Sequence, residues 1–150
     1  MGQAALTGLK ILLALVIVGL GYLLYDSIIT PYAVVEQQKA LTEMTRERMD
    51  KVRKTMIRYE EVNERFVTTL DSLVMFAKTD SALVADKSFL YGDDFVLDSL
   101  VQSPRTGKRF MLTVDDTSRV KVYMLEDPDS DDRIGSLEQD VTLLNAASWE

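Results

Sequence analysis

Residues 11–25 read ILLALVIVGLGYLLY and carry no charge; this stretch separates an apolar beginning from a polar remainder. Ala4 to Leu9 before it and Ile28 and Ile29 after it extend the apolar character. The run thereby approaches the roughly 20 residues a helix needs to cross about 30 Å of hydrocarbon. Lys10 is placed to snorkel to one interface and Asp26 marks the other, while Tyr22, Tyr25 and Tyr32 fall where an aromatic belt would lie. A transmembrane helix over 10–29 is expected, behind a tail of residues 1–9. The competing reading is a cleaved signal peptide, but the apolar run is longer than usual for one and no A-x-A site follows it. Lys10 lies on the short side; Asp26 and Glu36, with no basic residue before Lys39, lie on the other. The positive-inside rule then puts the amino terminus in the cytoplasm. The expected location is the inner (cytoplasmic) membrane, single-pass, with the carboxy-terminal domain in the periplasm and the lipid bilayer as a partner.

Composition fits that division. The chain has 150 residues and 16.9 kDa, which leaves room for one small domain beyond the membrane segment. A mean hydropathy of -0.01 with 27% charged residues averages an apolar segment with a polar remainder. A net charge of -7 argues against nucleic acid as a partner, because that affinity comes largely from Lys and Arg releasing condensed counterions. With neither Cys nor His, the chain lacks disulfides, thiolate nucleophiles, the usual zinc ligands and the commonest general base. No cofactor is expected.

After Thr30 and Pro31, a cap and first-turn pair able to restart a helix, the chain runs to Lys78 without another Pro or any Gly. One long extramembrane helix is expected over 30–78. Met49, Val52, Met56, Tyr59, Asn63, Phe66, Leu70, Leu73 and Ala77 follow alternating steps of three and four, the spacing of a heptad seam. Glu47 with Lys51, Asp50 with Lys54 and Glu61 with Arg65 stand four apart with the acid first, the arrangement of a solvated helix face. The seam has two readings. It pairs with another chain as a coiled coil, where Asn63 would set register, or it packs on this chain's own domain.

Past Lys78 the texture changes to short apolar runs split by turns such as residues 79–81, 91–94 and 103–107. Residues 109–114 and 119–125 alternate in polarity about Asp115-Asp116-Thr117-Ser118 and read as a β-hairpin. Phe110, Leu112 and Val114 share one face, as do Val120, Val122 and Met124, and the end of the long helix is the nearest apolar cover. A short helix from Leu137 to Asn145 is expected to close the domain of residues 79–150, with Trp149 as an anchor. The fold class is α+β: one transmembrane helix continuing into a long extramembrane helix, packed on a small antiparallel hairpin or sheet.

This layout resembles type IV pilins and pseudopilins. It is also similar to uncharacterised single-pass envelope proteins of the Bacteroidota, in which a helix like residues 56–78 (MIRYEEVNERFVTTLDSLVMFAK) precedes a Thr-Gly-Lys turn like Thr106-Gly107-Lys108. The resemblance implies a bacterial cell-envelope setting. The sequence departs from a prepilin where processing would be specified: after Gly8 come Leu9-Lys10-Ile11-Leu12-Leu13, without the Glu five residues beyond the cleavage point.

Residues 127–138 (DPDSDDRIGSLE) place oxygen ligands Asp127, Asp129, Asp131 and Glu138 at positions 1, 3, 5 and 12 of a calcium loop. Position 6 is Asp132 rather than Gly, and a strand rather than a helix enters the loop, so an acidic turn is the preferred reading. Asp93-Asp94 and Asp115-Asp116 fall in turns, and no Walker loop or G-x-G-x-x-G occurs. The expectation is a non-enzymatic, membrane-anchored interaction or scaffold subunit that contacts other envelope proteins or itself. A pilin-like structural subunit and a divisome-like bitopic coiled-coil protein are the alternatives.

Overall fold

The apolar run and the charged heptads after it form one helix, α1 (Gln3–Asn63). The computed structural model describes residues 2–150, less the side chains of residues 4, 5, 26, 28–31 and 33. The side-chain roles expected of Ala4, Asp26, Ile28, Ile29, Thr30 and Pro31 therefore lie outside the described residues. The chain divides into two units, Met1–Ala40 and Leu41–Glu150. Within the first, the long apolar side chains face outward, Val18 being 70% exposed.

The second unit starts with the last part of α1, a stretch rich in Lys, Arg, Glu and Met, all good helix formers. Thr45 and Thr55 are fully buried there because their hydroxyls donate to the carbonyls of Leu41 and Lys51, both at 2.8 Å. α1 ends at Asn63, earlier than the sequence suggested. Glu64 turns to φ +56 with its N–H on the Glu60 carbonyl at 2.7 Å. The β-branched run Val67-Thr68-Thr69 opposes helix continuation. Thr69 then caps a new helix, α2 (Leu70–Thr79), by accepting from the Ser72 N–H at 3.3 Å. The helix expected over 30–78 is thus two helices joined by residues 64–69. Asp80 caps α3 (Ser81–Ala85), accepting from Ala82 and Leu83, and α4 (Lys87–Tyr91) ends at Gly92, φ +96.

The expected hairpin forms as β1 (Met111–Asp115) against β2 (Val122–Glu126), and β3 (Arg133–Gly135) completes a three-stranded antiparallel sheet in the order β1-β2-β3. Leu112 lies opposite Leu125 and Val114 opposite Tyr123. The core side of β2 is therefore Tyr123 and Leu125, not the Val120, Val122 and Met124 set anticipated from sequence. Register fixes this, because a shift of one residue exchanges the two faces of a strand. Val122, on the other face, is buried as well. Instead of a helix over 137–145 there is a single 3-10 turn, Val141–Leu143, started by an Asp140 cap. The chain end then lies along β3, with the Gly135 N–H on the Ala146 carbonyl at 2.8 Å and the Ser148 N–H on the Arg133 carbonyl at 2.9 Å. Gly135 sits at φ +79, and a Cβ there would run into the Tyr123 carbonyl and lie 3.0 Å from that of Leu144.

Candidate functional site

The seam residues come together, but inside one chain. Met49, Val52 and Met56 of α1 are fully buried, and they share a single core with Leu70, Leu73 and Ala77 of α2, with Phe66 from the connection, and with Tyr123, Leu125 and Ile134 of the sheet. Phe66 packs against Tyr123 with ring centroids 4.8 Å apart, and Tyr59 meets Phe76 edge-on at 4.9 Å. Asn63 is exposed and donates its side-chain N–H to the Tyr59 carbonyl at 2.9 Å, so it finishes α1. The seam read as a possible interchain surface is therefore occupied by the chain's own domain. The unbroken part on α1, Met49 to Tyr59, also falls short of the three or four heptads a coiled coil sustains.

Arginines along α1 fasten the rest of the domain to it, a role not legible in the sequence. Arg46 grips Asp132 through Nη2 and Nε of its guanidinium, at 2.8 and 3.2 Å. It also lies over the Trp149 ring at 5.2 Å, so Trp149 does anchor the chain end. Arg48 donates to the Gln102 carbonyl at 3.0 Å. Arg53 reaches the Asn145 carbonyl at 2.9 Å and the Glu150 carboxylate at 2.8 Å, and the hydrogen bond it donates holds Glu150 below the usual carboxylate range. Arg58 lies 3.5 Å from Asp80 and 3.3 Å from Glu61. Asp80 is likewise held low, first by the Leu83 backbone N–H it accepts and then by Arg58. The Glu47–Lys51 and Asp50–Lys54 pairs form as expected, at 2.9 and 3.3 Å. Glu61 pairs with Arg58, since Arg65 lies beyond the end of the helix.

The acidic segment after β2 does not gather its carboxylates. Asp127 is buried and takes the Ser130 hydroxyl at 2.7 Å, Asp132 goes to Arg46, and Asp129 accepts from Lys108 at 2.6 Å and from the Thr106 hydroxyl. Lys108 keeps Asp129 well below its ordinary pKa. Asp131 is exposed, β3 intervenes, and Glu138 lies beyond it. Among the described residues no group of three or more His, Cys, Asp or Glu is arranged to hold a metal ion. The Thr-Gly-Lys turn singled out in the sequence thus serves as the partner of this segment.

Between α2 and the following segments lies an open cleft of ≈ 350 Å³, with Val74, Met75 and Val101 among its lining. Its charges are paired across it: Lys78 with Asp98 at 2.6 Å, and Arg109 with Asp71, which holds Asp71 low. Asp93 accepts from the Ser88 hydroxyl, and Asp115 accepts from Thr117 and Ser118 within its own turn. These carboxylates make structural contacts, within turns and between neighbouring segments.

In the amino-terminal unit, Leu6–Tyr25 has a mean hydropathy of 2.1 over 20 residues, none of it buried. That helix is long and apolar enough to cross a membrane. No family model, curated protein or solved structure matches the chain.

Proposed function

We propose that this chain is a non-enzymatic, membrane-anchored interaction or scaffold subunit of a bacterial cell-envelope assembly. Leu6–Tyr25 sits in the inner membrane and Leu41–Glu150 stands outside the cytoplasm. The observation that carries this reading is the exposure of the whole Leu6–Tyr25 surface. A continuous apolar surface of that extent is unfavourable in water and is satisfied by lipid. The domain supports the non-enzymatic part, because its ionised side chains, from Arg46–Asp132 to Lys108–Asp129, hold segments of the fold together. A role through a heptad coiled coil loses its basis, since Met49, Val52 and Met56 are spent in the core.

Membrane fractionation with alkaline carbonate washing, followed by protease treatment of spheroplasts, tests the reading. The full chain is expected in the washed membrane pellet, with residues beyond Ala40 digested from outside. Release by carbonate would remove the anchor, and protection of the domain in intact spheroplasts would reverse the orientation.

A further inference from the structure

β3 is covered along its outer side by the chain end, whereas β1 is an edge strand whose sheet neighbour, among the described residues, is β2 alone. Two observations fix which main-chain groups point outward from β1. The Phe110 N–H donates to the Val101 carbonyl, on the side away from β2. The Asp127 N–H donates to Asp132, so Leu125 bonds toward β3, and Glu126, Met124 and Val122 bond toward Met111, Thr113 and Asp115. Leu112 and Val114 therefore direct both their N–H and their C=O groups outward, beyond the point where residues 101–103 leave the edge. Next to them the core face continues into an open cavity of ≈ 280 Å³, lined by residues 68–71, Arg109, Phe110 and Leu112.

The sequence along this edge, KRFMLTVDD over residues 108–116, carries two bases at one end and two acids at the other. An antiparallel strand of complementary charge has this same pattern. We infer that β1 is a self-association edge on which a second copy of this chain pairs, β1 against β1, about a two-fold axis at Thr113. In that register Leu112 faces Val114 of the second copy, and the pairing uses the outward N–H and C=O groups of both residues in each copy. Val114 of the second copy lies over the cavity beside Leu112. Thr113 meets Thr113, a favourable cross-strand pair. Arg109 lies diagonal to Asp115 of the second copy. Its existing partner, Asp71, is reached by a side chain 51% exposed, which leaves room for a second carboxylate. β1 ends at Asp115, so the pairing stops short of Phe110, whose outward N–H Val101 already takes. A register two residues shorter in sum would set Arg109 directly opposite Asp115 but would collide with that segment. A five-residue edge is a small contact, so its occupancy rests on the anchored reading, in which confinement to one membrane raises the effective concentration.

The chain has no Cys, so Thr113→Cys introduces a single thiol at an exposed position. Directly opposed residues of a non-hydrogen-bonded pair lie about 4.5 Å apart between Cα atoms, within disulfide reach. Mild oxidation of membranes containing the T113C full-length chain is expected to yield a covalent dimer, while Val141→Cys, exposed but off the edge, stays monomeric. Adding Val114→Pro removes an outward N–H that β2 does not use and is expected to cut the T113C dimer at least about tenfold. Circular dichroism of the solubilised variant checks that the sheet remains. A monomeric T113C chain in membranes, a cross-link to a different protein in place of the homodimer, or a dimer indifferent to V114P in a folded chain would each overturn the inference. Carbonate washing of the same samples scores the anchored reading separately.

Discussion

Single side chains here do work that their residue type alone does not reveal. Arg46 is the clearest case. Its sequence context, a charged helix face, suggests a solvated residue, yet it closes on Asp132, which is only 8% exposed, from 86 positions away. Hydrogen bonds to charged groups contribute about 1.5–3 kcal/mol, so Arg46→Ala is expected to lower stability by about that amount. Arg46→Lys should recover part of it, since an ammonium keeps the charge but not the grip of two nitrogens held in one plane. Urea unfolding of the detergent-solubilised chain, read by circular dichroism, measures both, and equal losses would show that the fork geometry is irrelevant. Gly135 gives a second test at this scale. Its positive φ and the neighbouring Tyr123 and Leu144 carbonyls leave no place for a methyl group, so Gly135→Ala is expected to destabilise by about 1–3 kcal/mol or more, from backbone strain alone. Neither role could be read from the sequence, because each depends on what a distant segment brings to the residue.

At the scale of elements, the sequence was legible wherever a local pattern is decided locally. The apolar helix, the hairpin and the turn at residues 103–107 follow from hydropathy, alternation and Pro/Gly chemistry. The seam was legible as a set of buried positions, because the three-four spacing of Met49, Val52 and Met56 survives on α1, and Leu70, Leu73 and Ala77 repeat it on α2. What the spacing concealed is the break at 64–69. Without Gly or Pro to mark it, the signals were the β-branched run Val67-Thr68-Thr69 and the capping sequence Thr69-Leu70-Asp71-Ser72, which are weaker than a continuing heptad. The face of β2 was missed for a similar reason, since its register depends on the length of the connection from Asp115 to Val122. The broken helix makes a sharp prediction. Leu73→Ala is expected to cost about 2–5 kcal/mol, as for a fully buried core residue. Asn63→Ala should stay within about 0.5 kcal/mol and leave the mass in solution unchanged, because it only finishes a helix at the surface. A change of oligomeric state in N63A, by light scattering, would restore the seam as an interchain register.

Across the whole molecule, charge is abundant but none of it belongs to His, so no side chain has its ordinary pKa between about 5 and 8. The shifted carboxylates and tyrosines of the domain move further toward the extremes. Asp80, Glu150 and Asp129 are held below the ordinary carboxylate range by the hydrogen bonds they accept. Their contribution to stability is present above the unfolded values near pH ~4 and is lost as pH falls through the lower folded ones. Tyr91 and Tyr123 are raised by burial, with the Tyr123 hydroxyl donating to Asn145 at 2.9 Å. The unfolded chain sheds those protons near pH ~10 while the folded chain keeps them, so stability is intact below that pH and declines as pH climbs toward the raised values. The thermal midpoint of the solubilised chain is therefore expected to be nearly flat from about pH 5.5 to 9 and to fall on both sides. Tyr123→Phe should soften the alkaline fall, and Asp80→Asn the acid one, each at some loss of stability on the plateau because a hydrogen bond goes with the charge. A midpoint that drifts steadily between pH 6 and 8 would contradict this, since it requires a carboxylate raised into that range, and among the described residues every shifted carboxylate is shifted the other way.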